Sequence, residues 1–170
     1  MQQGTGFAYS AWATIRPAPA VHPPYYAMAF VADFIGSNIN NDFRVNNVDL
    51  SNPLLTAYAG YYQGFGLQRT AIVDLSMWNS TQTSPRPKTT VTLSVPGPSV
   101  TAVRLDRLTG AGAETARDVR WNETKWTVAS TGLPVAAFMG DSSVQRIAYG
   151  QSTFSVAVNA SEAIMVSFLR

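Results

Sequence analysis

From residue 54 onward, apolar and polar positions alternate with period two in short runs bounded by Gly, Pro, Asn and Ser. Thr90 to Val95 shows the pattern most cleanly, with Val91, Leu93 and Val95 on one face and Thr90, Thr92 and Ser94 on the other. A strand so patterned buries one face and wets the other. Thr153 to Val158 collects Phe154, Val156 and Val158 on one face in the same way, and Ala163 to Leu169 collects Ile164, Val166 and Phe168. Leu54 to Tyr62 and Leu67 to Met77 are predicted to form a hairpin across Gln63-Gly64-Phe65-Gly66. Val100 to Leu108, Val119 to Trp121, Lys125 to Ala129 and Val144 to Tyr149 supply further short strands. Pro85 and Pro87 forbid a central strand over Thr83 to Lys88, which reads as a loop. About seven or eight antiparallel strands at this spacing predict a mainly β chain folded as an antiparallel β-sandwich.

The beginning of the chain follows a different period. Val21 to Gly36 reads as a helix: Pro23 and Pro24 suit the first turn, where a missing N–H costs nothing, and Gly36 suits the C-terminal stop. Asp33 is its one charged residue, so the helix is apolar on every side and needs cover on every side. About a dozen residues is too short to cross a bilayer, and a single sheet covers only one side. Ser37 to Ser51 is rich in Asn and marks the change from helix to β pattern, so the boundary is placed there, dividing 1–36 from 37–170. Asp42 and Asp49 in that stretch lack the spacing of a calcium loop and read as turn formers.

Composition narrows the function classes. The chain of 170 residues is 46% hydrophobic and 13% charged, with a net charge of +2, which argues for no nucleic acid and no anionic membrane as partner. Its tightest basic groups, Arg86 with Lys88 and Arg104 with Arg107, read as solvated strand ends. There is no cysteine, so disulfides, thiol chemistry and Cys-based metal sites are excluded, and no cofactor or metal is expected. Asn79, Asn122 and Asn159 each open an N-glycosylation sequon, which points to secretion. The first twenty residues lack a basic start and an apolar run, so this chain is expected to carry no signal peptide.

Several motifs carry a resemblance to a known family. Gln3-Gly4-Thr5-Gly6-Phe7, Tyr9-Ser10, Trp12, Pro23-Pro24-Tyr25-Tyr26-Ala27 and Phe30-Val31-Ala32-Asp33-Phe34-Ile35-Gly36 resemble the end of the catalytic barrel in glycoside hydrolase family 79. That family holds β-glucuronidases, fungal ones among them, and relatives of heparanase. Asn52-Pro53-Leu54-Leu55-Thr56-Ala57-Tyr58-Ala59 and Arg69-Thr70-Ala71-Ile72-Val73-Asp74-Leu75 resemble the opening hairpin of the family's C-terminal β-domain. Beyond about residue 100 the likeness is one of strand pattern alone.

The resemblance implies that 1–36 is a strand-loop-helix unit left from a (β/α)8 barrel, followed by the β-sandwich. It implies a retaining hydrolase that removes glucuronic acid from glycans with two glutamates, roughly 5 to 5.5 Å apart, on barrel strands preceding this part. Glu114, Glu123 and Glu162 are the chain's glutamates, and none sits in a motif resembling a catalytic strand end. No catalytic residue is therefore assigned, and the chain is expected to be a fragment, inactive alone, that packs on a barrel. Tyr9, and more weakly Gln3, are expected to contact substrate only when a complete barrel is present. The parent family implies secretion.

The alternative reading is a stand-alone carbohydrate-binding or interaction module. It requires two or more of Trp78, Trp121 and Trp126 to lie coplanar on an exposed face; packing in the core or at a domain interface is the blander expectation for each. Tyr25-Tyr26 and Tyr61-Tyr62 read as half-core aromatics. His22, the single histidine, has no carboxylate or serine partner at a useful spacing and reads as a residue of the surface or the helix start.

Overall fold

The computed structural model describes residues 12–13, 20–37, 43–64, 66–116, 118–138 and 140–170. Two short strands, β1 (Trp12–Ala13) and β2 (Ala20–Val21), form an antiparallel ribbon that leads into α1 (Pro23–Ile35). Pro23 and Pro24 occupy the first turn of α1 as expected, His22 stands at the N-cap, and Gly36 caps the C-terminus at φ 72° with its N–H donating to the Ala32 carbonyl. A side chain at that φ is strained, which is why the stop falls on glycine.

Beyond α1 the chain is antiparallel β. The strands are β3 (Phe43–Val48), β4 (Leu55–Tyr62), β5 (Gly66–Asp74), β6 (Lys88–Ser94), β7 (Ala102–Thr109), β8 (Arg120–Trp121), β9 (Thr124–Trp126), β10 (Pro134–Ala136), β11 (Ser142–Arg146), β12 (Thr153–Asn159) and β13 (Ala163–Leu169). Among the described residues nine of them form one sheet in the order β10-β9-β8-β7-β13-β5-β4-β3, with β11 also paired to β7. The remaining two, β6 and β12, pair with each other and make a second, smaller sheet.

The small sheet lies over one face of the large one. Val91 on β6 and Phe154, Val156 and Val158 on β12 interdigitate with Ala57, Ile72, Val103, Leu105, Ile164, Val166 and Phe168 of the large sheet. These are the alternating faces read from the sequence, and Thr92 and Ser155 on the opposite side of the small sheet are exposed. The opposite face of the large sheet carries α1, whose Tyr26, Phe30 and Phe34 meet Ala71, Ala163, Met165, Val119 and Trp121. The large sheet is thus the middle of three layers.

Three local expectations are corrected. Ala163 to Leu169 was expected to wet one face, yet β13 is buried on both, because α1 covers Ala163 and Met165 while the small sheet covers Ile164, Val166 and Phe168. The Asn-rich stretch contains a strand, β3, which pairs with β4 from Phe43↔Tyr62 to Val48↔Ala57. It is an edge strand with mostly exposed side chains, so its Asn46 and Asn47 hide the pattern, and polar edges discourage unwanted pairing. Pro134–Ala136 pairs at the other edge with β9, where no strand was expected. Asp49 behaves as a turn former, its carboxylate accepting from the Ser51 N–H at 2.8 Å.

One glycine is required by packing. A Cβ on Gly60 of β4 would lie 2.3 Å from the Phe43 ring and 3.2 Å from the Phe34 ring. Its absence lets those two rings meet edge to face at 5.7 Å, joining the C-terminal end of α1 to the sheet edge.

Candidate docking interface

The inner face of α1 is fixed to the sheet by polar contacts as well as by burial. The Tyr26 hydroxyl donates to the Trp126 carbonyl and accepts from the Trp126 N–H, both at 3.1 Å. Burial raises the Tyr26 pKa, so that hydroxyl remains a donor through the neutral range. The Phe30 and Trp121 rings meet edge on at 5.0 Å, and the Trp121 indole N–H donates to the Asp33 carboxylate at 2.5 Å. Arg69 Nη1 donates to the carbonyls of Asp33 and Phe34, the latter at 3.0 Å. Those carbonyls belong to the last turn, where a helix leaves acceptors unpaired and favours a cation. Strands β5, β8 and β9 together therefore set the direction of α1.

Among the described residues the outer face of α1 has no such partners. Met28, Val31 and Ile35 are 38%, 50% and 43% exposed. An apolar trough of about 430 Å³ runs beside them, walled by Val31 and Ile35 of α1 and by Val45, Tyr58 and Val73 of the sheet. A second cavity of about 600 Å³ opens at the first turn of α1, where Pro23 and Pro24 face Leu75, Met77 and Leu108. Ala27 borders both, so the two form one apolar surface along the helix. Water disfavours such a surface by roughly 25 cal/mol per Å², and a contiguous patch of this kind marks an interaction site.

The carboxylates do other work. Glu114 accepts from the Ser80 N–H at 2.9 Å and from its hydroxyl, which holds the Glu114 pKa below the ordinary value. Glu162 is buried at the start of β13, paired with Arg86 Nη1 at 2.7 Å and accepting from the Asn159 amide at 2.6 Å. Arg86, expected at a solvated strand end, is instead an internal clamp: it also donates to the carbonyls of Ala160 at 2.7 Å and Gly110 at 2.9 Å and lies over the Trp78 ring at 5.2 Å. Arg104 is closer to expectation, its side chain 44% exposed while it pairs with buried Asp106 at 2.8 Å. The clamp had one legible signal, a lone arginine between two prolines in a stiff loop. Arg69 had none.

Burial pushes the Glu162 pKa above the ordinary glutamate value, outweighing the Asn159 amide and the Arg86 charge, which lower it. A carboxylate raised on folding contributes stability that is present below its unfolded pKa and lost as pH rises through the folded one. In Tm measurements between pH 8 and pH 4.5, the difference between wild type and Glu162→Gln should move in favour of wild type as pH falls. A difference that stays flat or moves the other way contradicts that sign.

Tyr9 and Gln3 lie outside the described residues. Asn79 begins a turn, its carbonyl accepting from the Gln82 N–H, and Asn122 sits at φ 47° between β8 and β9. Asn159, at the end of β12, already uses its amide on Glu162. Trp121 is buried, Trp126 packs against Tyr25 and Tyr26 at 5.4 Å from each, and Trp78 lies beneath Arg86. Trp78, Trp121 and Trp126 are therefore packing residues and form no exposed platform among the described residues. No helix among the described residues is long and apolar enough to cross a membrane.

Comparison with known proteins fits this arrangement. The family described as the glycosyl hydrolase family 79 C-terminal beta domain matches residues 57–165. Among solved structures, a 4-O-α-L-rhamnosyl-β-D-glucuronidase from Fusarium oxysporum 12S superposes with a TM-score of 0.69 at 18% identity, over 94% of this chain and 32% of that one. The chain thus spans about a third of that enzyme's length. No curated protein sequence matches.

Proposed function

Because this chain belongs to the glycosyl hydrolase family 79 C-terminal β-domain family, we propose that it supports a (β/α)8 catalytic barrel docked on the outer face of α1. The observation that carries the reading is the two-sidedness of that helix: Tyr26, Phe30 and Phe34 are buried on the sheet, while Met28, Val31 and Ile35 remain uncovered. In this reading 1–36 is the terminal β-α unit of the barrel and 37–170 is the β-sandwich, with α1 the element both share. The sandwich itself is non-catalytic. Hydrolysis belongs to two glutamates of the barrel acting on glycans that end in glucuronic acid, and the likeness to a glucuronidase supports that substrate class. Tyr9 and Gln3 would reach the sugar from the barrel's last strand. Asn79 and Asn122 are the better glycan acceptors of a secreted protein, since the Asn159 amide is engaged.

A stand-alone carbohydrate-binding module would need its tryptophans at the surface, and Trp78, Trp121 and Trp126 are all at least half-buried. The docking reading is tested with Val31→Glu. Exposure of Val31 predicts a stability change within about 0.5 kcal/mol, whereas a carboxylate in the middle of an apolar contact should weaken association with a separately produced family 79 barrel about tenfold or more. Equal binding of wild type and variant, or no binding by either, overturns the reading.

A further inference from the structure

The two edges of the large sheet are built differently. At one edge β3 carries Arg44, Asn46 and Asn47, all exposed, and polar edges resist pairing with other chains. At the other edge β10 lies in a stretch with no charged residue between Trp126 and Asp141, where Leu133, Val135 and Phe138 are 68%, 38% and 78% exposed. Successive residues of an antiparallel strand turn their N–H and C=O groups alternately to one side and the other. The Ala137 N–H donates to the Glu123 carbonyl at 2.6 Å, so Val135 faces β9 as well. Trp126, in register with Pro134, gives both its backbone groups to the Tyr26 hydroxyl, on the side away from β10. Pro134 and Ala136 therefore turn theirs to the open edge. That edge presents two carbonyls and, because proline has no N–H, a single donor.

We propose that this edge pairs antiparallel with the same edge of a second copy of the chain, about a two-fold axis at Ala136. There the Ala136 N–H and C=O of each copy bond their counterparts, two hydrogen bonds from the one β10 residue that offers both groups outward. Continuing the strand brings the Phe138 N–H of each copy opposite the Pro134 carbonyl of the other and sets the Phe138 ring against that proline, which covers it. An axis two residues earlier would place Pro134 against Pro134 with no donor on either side, so the proline fixes the register. The absence of charge along the stretch leaves nothing to repel an identical strand. The trough beside α1 lies towards Val45 and Tyr58 on β3 and β4, at the far end of the strand order, so the β10 contact does not rest on the docking reading.

Sedimentation equilibrium of the full chain is the test. Because β10 spans only Pro134–Ala136, the contact is small and the dimer weak, so loading concentrations run from about 10 μM to about 1 mM. Wild type is expected to follow a monomer–dimer equilibrium with no larger species, since a two-fold contact closes on itself. Ala136→Pro removes the outward N–H and with it both bonds at the axis, which should weaken the dimer about tenfold or more. The β9 ladder does not use that N–H, so the thermal midpoint should stay close to that of wild type. Val135→Lys leaves the backbone donors in place and sets a charge on the edge, and it should weaken the dimer as well. Val31→Glu, on α1, should leave it intact. In a mixture of labelled and unlabelled chains, filtered NOE spectra should place the Val135 Hα beside the Ala137 Hα of the other copy. A chain that stays monomeric throughout, a dimer broken by Val31→Glu but by neither edge variant, or open-ended growth overturns the proposal.

Discussion

Val166→Asp should leave the chain without a cooperative fold. Val166 is fully buried on β13, in register with Thr70 of β5 and Leu105 of β7, and it belongs to the cluster that holds Ile72, Leu105, Phe154 and Phe168. No member of that cluster can pair with a charge. An aspartate there either ionises without a partner or takes up a proton and still buries an unsatisfied carboxyl, and both routes also forfeit the valine's packing. An uncompensated buried charge costs about 3–5 kcal/mol, and total stability is typically about 5–15 kcal/mol. The same cluster makes Phe154→Ala costly, about 3–5 kcal/mol. Thr92→Ala, on the exposed side of the small sheet, should fall within about 1 kcal/mol, since it loses only the 3.1 Å hydroxyl contact with Ser155. Urea unfolding followed by circular dichroism separates the three, and a Val166→Asp chain that unfolds cooperatively near the wild-type midpoint shows that this face is not the core.

Arg86→Ala should cost about 3–5 kcal/mol, although the residue sits in a loop. Its guanidinium ties three segments together through the carbonyls of Ala160 and Gly110 and the Glu162 carboxylate, and the side chains of the pair are 16% and 5% exposed. Removing it leaves a largely buried Glu162 with the Asn159 amide but no countercharge at hydrogen-bond distance, which is why the loss exceeds that of a surface ion pair. The deficit should be larger at pH 8 than at pH 5, because an unpaired Glu162 is tolerated better when protonated. Arg86→Met combined with Glu162→Leu should recover much of the loss by removing both charges. A single variant as stable as wild type at pH 8 would show that the clamp is ornamental.

The sequence carried the local half of this structure. Period-two alternation located β4 through β7, β12 and β13, and it assigned Phe154, Val156, Ile164 and Val166 to the core, because one-sided burial forces alternation. Two prolines and a glycine delimited α1, because they act through backbone geometry that neighbours cannot override. The same logic failed where burial is two-sided or absent. A central strand covered on both faces, β13, reads no differently from a half-exposed one until its second cover is seen, and the exposed edge strand β3 has no apolar face to announce it.

The candidate interface divides along the same line. That α1 is apolar all round was evident from its composition, and that one sheet can cover only one side follows from geometry. Which side is covered, and which side stays exposed, was decided by Trp121 and Trp126, Gly60 and Arg69. These residues reach α1 or β3 only when the chain folds, as the Trp126–Tyr26 and Arg69–Phe34 hydrogen bonds do across separations of 100 and 35 residues. Pairing of that kind depends on sheet order and register, which are settled by the whole set of strands at once, so the hold of Arg69 on the last turn of α1 is not visible until the tertiary structure closes around it.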